Sequence, residues 1–135
     1  MIFATETPRH RDMQNLNDLT ERVIGCAIEV HRNLGPGLLE SIYERAMCHE
    51  FNINGLQYES QVIVPIIYKG SNLGDCRLDL LVENKVIVEI KAVERMDPVF
   101  KAQLLSYLRM TAKRLGLLIN FNVPVLKDGI TRLIL

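Results

Sequence analysis

The chain has 135 residues and a mass of 15.4 kDa, the size of one compact domain. Hydrophobic residues make up 48% and charged residues 24%, with 8 Gly and 5 Pro. That excludes a disordered tail, a collagen-like chain and a low-complexity linker. Sixteen basic and sixteen acidic side chains cancel, which speaks against a protein that coats nucleic acid through bulk electrostatics.

The charge is unevenly spread. Residues 1–90 carry 8 basic and 13 acidic side chains, a net of −5, and residues 91–135 carry 8 basic and 3 acidic, a net of +5. A basic last third could face a polyanion while an acidic cluster holds a cation; an ordinary dipolar surface explains the same counts. Cys26, Cys48 and Cys76 are an odd number with no CxxC pair. They support neither a disulfide framework nor a zinc knuckle, and read as buried free thiols. The apolar runs fall far short of the about 20 residues a membrane span needs. MIFATETPRHRD has no basic leader followed by an apolar stretch, so a soluble cytoplasmic protein without a membrane partner is expected.

Residues 1–17 are polar and without a period, and read as an arm of uncertain order ahead of one domain over 18–135. Asp18-Leu-Thr-Glu21 has the form of a capping box and predicts a helix start. The helix places Leu19, Val23, Cys26, Ala27, Val30 and Leu34 on one arc and ends at Gly35-Pro36-Gly37. A second helix is expected from about Leu38 to Phe51. The period then changes to two. Gln57–Tyr68 reads as a strand, with Pro65 marking an edge or a bulge. Leu73–Val82 and Val86–Lys91 follow, joined by Glu83-Asn84-Lys85. Asp97-Pro98 is an N-cap and first helical residue, opening a helix to about Arg114. Leu117–Phe121 and Ile130–Leu135 complete the order α-α-β-β-β-α-β-β. The class is α/β: a mixed sheet with an antiparallel meander, flanked by helices.

Asp79 interrupts one apolar strand, and Glu89 and Lys91 interrupt the next. Residues two apart in a strand share a face, so Glu89 and Lys91 point the same way, about 7 Å apart. A three-residue loop pairing Val82 with Val86 sets Asp79 opposite Glu89 and Arg77 opposite Lys91; a two-residue loop sends Asp79 to the other face. The chemical reading therefore requires the odd loop, with Asn84 suited to a left-handed turn position. Facing carboxylates repel unless a proton or cation lies between them. Hard oxygen ligands suit Mg²⁺ or Mn²⁺, and a neighbouring lysine can orient a water or stabilise charge on a phosphate. Metal-assisted phosphodiester hydrolysis is the reaction these parts fit. The plain alternative is a half-exposed sheet face carrying polar residues.

Glu40, at the flank of the second helix's apolar arc, reads either as a further metal ligand or acid, or as a cap. Gln103 and Tyr107 share a face of the third helix with Arg114 close to the same arc. They could hold a phosphate or position a catalytic group, or be an amide and a phenol at the core boundary. His31 falls on the apolar side of the first helix and reads as a packed, hydrogen-bonded histidine.

Gly37-Leu-Leu-Glu40-Ser-Ile-Tyr43 matches the signature of the GxxExxY family, which the chain resembles from about Leu19 onward. Val30-His31, Asp79-Leu-Leu-Val, Glu89-Ile-Lys91, Ala102-Gln103-Leu-Leu-Ser-Tyr107 and Leu117-Leu-Ile-Asn120-Phe121 carry the resemblance further. That family is grouped with the PD-(D/E)xK nuclease-like superfamily, and the resemblance implies a restriction-endonuclease-like core. It also implies metal-binding roles for Asp79 and Glu89, an assisting role for Lys91, and a further acidic role for Glu40. Gln103-x-x-x-Tyr107 is similar to the QxxxY element of RecB-type nucleases, where it supports the site. Leu78, not proline, precedes Asp79. The expected function is a Mg²⁺- or Mn²⁺-dependent nuclease acting on DNA or RNA. The alternative is a catalytically inactive nuclease-fold module that binds nucleic acid or a protein partner. A third reading is a homodimer formed through apolar surface, suggested by a mean hydropathy of +0.10.

Overall fold

Eight elements in the expected order appear in a computed structural model, which describes residues 8–135. They are α1 (Pro8–Leu34), α2 (Glu40–Ile53), β1 (Tyr58–Tyr68), β2 (Ser71–Val82), β3 (Val86–Lys91), α3 (Pro98–Thr111), β4 (Leu115–Asn120) and β5 (Ile130–Ile134), with a 3₁₀ turn over Leu126–Gly129 before the last strand.

α1 corrects the expected N-terminal arm. It runs unbroken from Pro8, so Asp18-Leu-Thr-Glu21 lies inside the helix and is not its cap. The apolar arc begins a turn earlier than Leu19, because Leu16 is buried in the core. Thr20 donates its hydroxyl to Leu16 O at 2.6 Å, a back-bond made within a helix. Asn17 accepts a hydrogen bond from Arg132 of β5, tying this turn to the far edge of the sheet. Residues 1–7 of the expected arm lie outside the described residues.

The sheet has the order β1-β2-β3-β4-β5. β1, β2 and β3 form the antiparallel meander; β3 and β4 are parallel, linked by α3 as the crossover; β4 and β5 are antiparallel. β3 and β4 are covered on both faces, which is why they read as nearly continuous apolar runs. One face packs Leu80, Val82, Val86, Val88, Ile90, Leu117 and Ile119 against α1 and α2. The other packs Leu78, Leu81, Ile87 and Leu118 against Leu104 and Leu108 of α3. Gly116 lets α3 approach: a Cβ there would stand 2.8 Å from a Leu104 methyl. Asp97 caps α3 as expected, accepting from Val99 N at 3.0 Å. β1 is an edge strand, which accommodates Pro65.

Side-chain alternation slips by one where the site lies. On β2, Leu80 and Val82 face the α1–α2 core while Leu78 faces α3; on β1, Tyr58 packs with the first core and Val62 and Val64 with the second. Asp79 falls at one slip and Gln61, with φ +53°, at the other.

Candidate active site

The hairpin between β2 and β3 has the odd loop that the acidic pair requires. Val82 pairs with Val86, Leu81 with Ile87 and Leu80 with Val88. Glu83 and Asn84 both adopt the left-handed region, with φ of +52° and +54°. One step beyond Leu80 and Val88 the backbone ladder stops and the carboxylates replace it. Glu89 Oε2 accepts from Asp79 N at 2.8 Å, and Asp79 Oδ2 accepts from Ile90 N at 2.8 Å. Two acidic side chains thus bridge the opening between strands, each held by the other's strand. Because pairing ends there, Arg77 is not set opposite Lys91 by the ladder, contrary to the extrapolated register.

Glu89 is only 7% exposed. Burial, then the neighbouring Asp79, pushes its carboxyl up to about 8. Asp79, half-buried, is raised by burial, against which the Ile90 amide, Lys91 and the Gln61 amide act. Such a pair asks for a proton or a cation. Lys91 places Nζ 4.6 Å from the centre of the Phe100 ring, a cation–π contact that steadies the ammonium. The strand end carrying it is fixed by Phe121 N donating to Lys91 O at 2.9 Å, and by buried Asn120. The Asn120 side chain accepts from Val93 N and donates to Val93 O.

The 35–43 segment delivers Glu40 to the same place. Gly35 and Gly37 take positive φ, +67° and +100°. The fully buried Tyr43 anchors the loop: its hydroxyl donates to Gly35 O at 2.5 Å and accepts from Leu38 N at 3.1 Å, and its ring stacks on Phe121 at 4.5 Å. Glu40 opens α2 without being directed into the core; the residue is exposed. Partial burial raises its carboxyl, opposed by Lys91 and the Ala92 amide and reinforced by Asp79. Among the described residues no three Asp, Glu, His or Cys side chains stand close enough to hold a metal ion together. Glu40 therefore stands beside the Asp79–Glu89 pair, coupled to it through Lys91. The pair fits a hard divalent ion by chemistry: two carboxylates at an opening between strands, leaving coordination positions for water and substrate.

Tyr107 of α3 is half-buried at the edge of the α3-side core and within electrostatic range of the pair: burial, followed by Glu89, raises its phenol. Gln103, one turn earlier, is exposed, and its side chain makes no hydrogen bond among the described residues. Arg114 is elsewhere. It precedes β4 just before the start of β3, since Leu115 pairs with Val86, so it lies about 20 Å of strand from Lys91. There it lines a cavity of about 220 Å³ with Asp12, Asn84, Lys85 and Lys113. His31 is packed as expected, with Nε2 2.8 Å from Val123 O. Cys26 is a buried free thiol; Cys48 and Cys76 are only half-buried. Two residues at the site escaped the sequence reading. Gln61 Nε2 donates to Glu44 Oε1 at 2.7 Å beside Asp79. Glu44 carried a faint signal, standing one helical turn after Glu40.

A mixed five-stranded sheet with two helices on one face and one on the other is a restriction-endonuclease-like α/β architecture. The chain belongs to the PD-(D/E)XK nuclease superfamily, whose family model matches residues 17–133. Nucleases of that superfamily generally use divalent metals. The crystal structure of SSO0001 is similar at 20% identity and a TM-score of 0.47, over 90% of this chain and 59% of that one. The chain thus spans 59% of the length of that protein. No curated protein matches. Among the described residues no helix is long and apolar enough to cross a membrane.

Proposed function

We propose that the protein is a Mg²⁺- or Mn²⁺-dependent nuclease that hydrolyses phosphodiester bonds of DNA or RNA, of the GxxExxY type within its superfamily. The observation that carries this is the exchange of carboxylate–amide hydrogen bonds at Asp79 and Glu89, with Lys91 two residues on. Asp79 and Glu89 would hold the ion. When bound, it supplies a water of lowered pKa and neutralises charge on the phosphate.

The chain's own residues do the rest. Glu89 gives up its proton to become a ligand, and its burial among Leu, Val and Ile side chains keeps the site's effective dielectric low. Lys91, braced by Phe100, carries positive charge to the side of the pair where a phosphate would lie and stabilises negative charge developing there. Glu40, anchored through Tyr43, lies within electrostatic reach of Lys91 and Asp79 and orients the lysine or a water. Tyr107 closes the α3 side, where its phenol can donate to a site oxygen.

The test is a panel of labelled single- and double-stranded DNA and RNA incubated with Mg²⁺ or Mn²⁺. Wild type is expected to cleave at least one substrate. Lys91→Ala should lose on the order of 10²–10³ in rate, and Asp79→Ala should lose metal binding while its circular dichroism stays native. No cleavage by wild type, with nucleic-acid binding kept by an Asp79/Glu89 double alanine variant, would instead establish a non-cutting binding module.

A further inference from the structure

Gln61 sits on β1 at the position facing Asp79, between the pairs Ser60 with Leu80 and Val62 with Leu78. Its φ of +53° is left-handed backbone in the middle of a strand, a conformation that is strained for a residue with a side chain. The pairing of β1 with β2 does not demand it, because the register is the same on both sides of Gln61. Packing does not demand it either, because the side chain is exposed. What the conformation achieves is to bring one amide between two carboxylates. Nε2 donates to Glu44 Oε1 at 2.7 Å, and from its place opposite Asp79 on the neighbouring strand the same amide offers a donor that acts against the rise of the Asp79 carboxyl. An amide nitrogen carries two hydrogens, so one group can serve both acceptors and separate charges that otherwise repel.

We propose that Gln61 is a positioning residue: strapped to Glu44 of α2, its amide holds the Asp79 carboxylate in the orientation that receives the divalent ion. The proposal rests on the metal-site reading above. Both strands slip in alternation at this step, and it is here that the Gln61 side chain reaches Glu44 of α2.

Gln61→Gly separates side chain from backbone, because glycine accepts positive φ freely. The variant should melt at the same temperature as wild type or higher without metal, while its dissociation constant for Mn²⁺ by calorimetry rises 10- to 100-fold. Gln61→Asn also tolerates the left-handed backbone, but its amide falls one methylene short; it should weaken Mn²⁺ binding as glycine does. Wild-type affinity in both variants overturns the proposal. Should wild type itself bind no Mn²⁺, the nuclease reading fails, and positioning is decided on metal-free protein by NMR. The Ile90 amide, which donates to Asp79 Oδ2, should then shift and exchange faster in Gln61→Gly. An unmoved, equally protected Ile90 amide overturns it.

Discussion

Glu89 concentrates the tension of the site in one side chain. Folded, it keeps its proton up to about pH 8; unfolded, it loses it near the ordinary value of 4.5. The folded state therefore binds the extra proton between those values, and metal-free stability falls as pH rises through that window. Its contribution is whole below 4.5 and gone above 8, an upper bound of about 5 kcal/mol. Glu89→Gln should remove most of the slope: urea denaturation between pH 5 and 9 is expected to show wild type weakening clearly more than the variant, whose remaining slope comes from the raised Asp79 and Glu40 carboxyls. Parallel curves would contradict the burial argument. At the proposed metal site the same proton would compete with the ion. Below pH 8 a divalent ion must displace it, so affinity should climb with pH until Glu89 is ionised.

Between α1 and α2, the Gly35–Tyr43 segment shows how a short pattern becomes a mechanical part. Glycine supplies the positive φ that a side chain resists, the glutamate opens a helix beside Lys91, and the tyrosine pins the loop from inside the core. Tyr43→Phe keeps the stack on Phe121 but strands Gly35 O and Leu38 N. It should cost about 1–3 kcal/mol in denaturant melts and loosen Glu40, reducing cleavage more than stability alone explains. An unchanged midpoint would show that water replaces the hydroxyl without loss. On the other face, α3 sits close because Gly116 offers no side chain, and from α3 the Tyr107 phenol feels the charge of Glu89.

Across the whole molecule, the sheet divides the core in two, and the site lies where β2 and β3 part between them. Stability is shared with the start of α1: Leu16→Ala should cost about 2–5 kcal/mol by thermal or urea denaturation, whereas a residue in a loose arm would cost nothing. Element order, the hairpin register and the partnership of Asp79 with Glu89 were legible in the amino-acid string, because periodicity and loop parity are local properties of a chain. The beginning of α1 was not, since Leu16 joins a core assembled by the whole fold and Asn17 is held by Arg132, 115 positions away. Nor was the place of Arg114, which the crossover carries to the opposite end of the strands from Lys91. Gln61 was hidden for a third reason: its role depends on one backbone angle and on a slip shared by two strands, and neither leaves a mark in composition or spacing. Local patterning determined which polar and charged groups interrupt the apolar strands and helices; only tertiary packing decided which of them meet, because meeting depends on twist, slip and helix approach summed over the whole sheet.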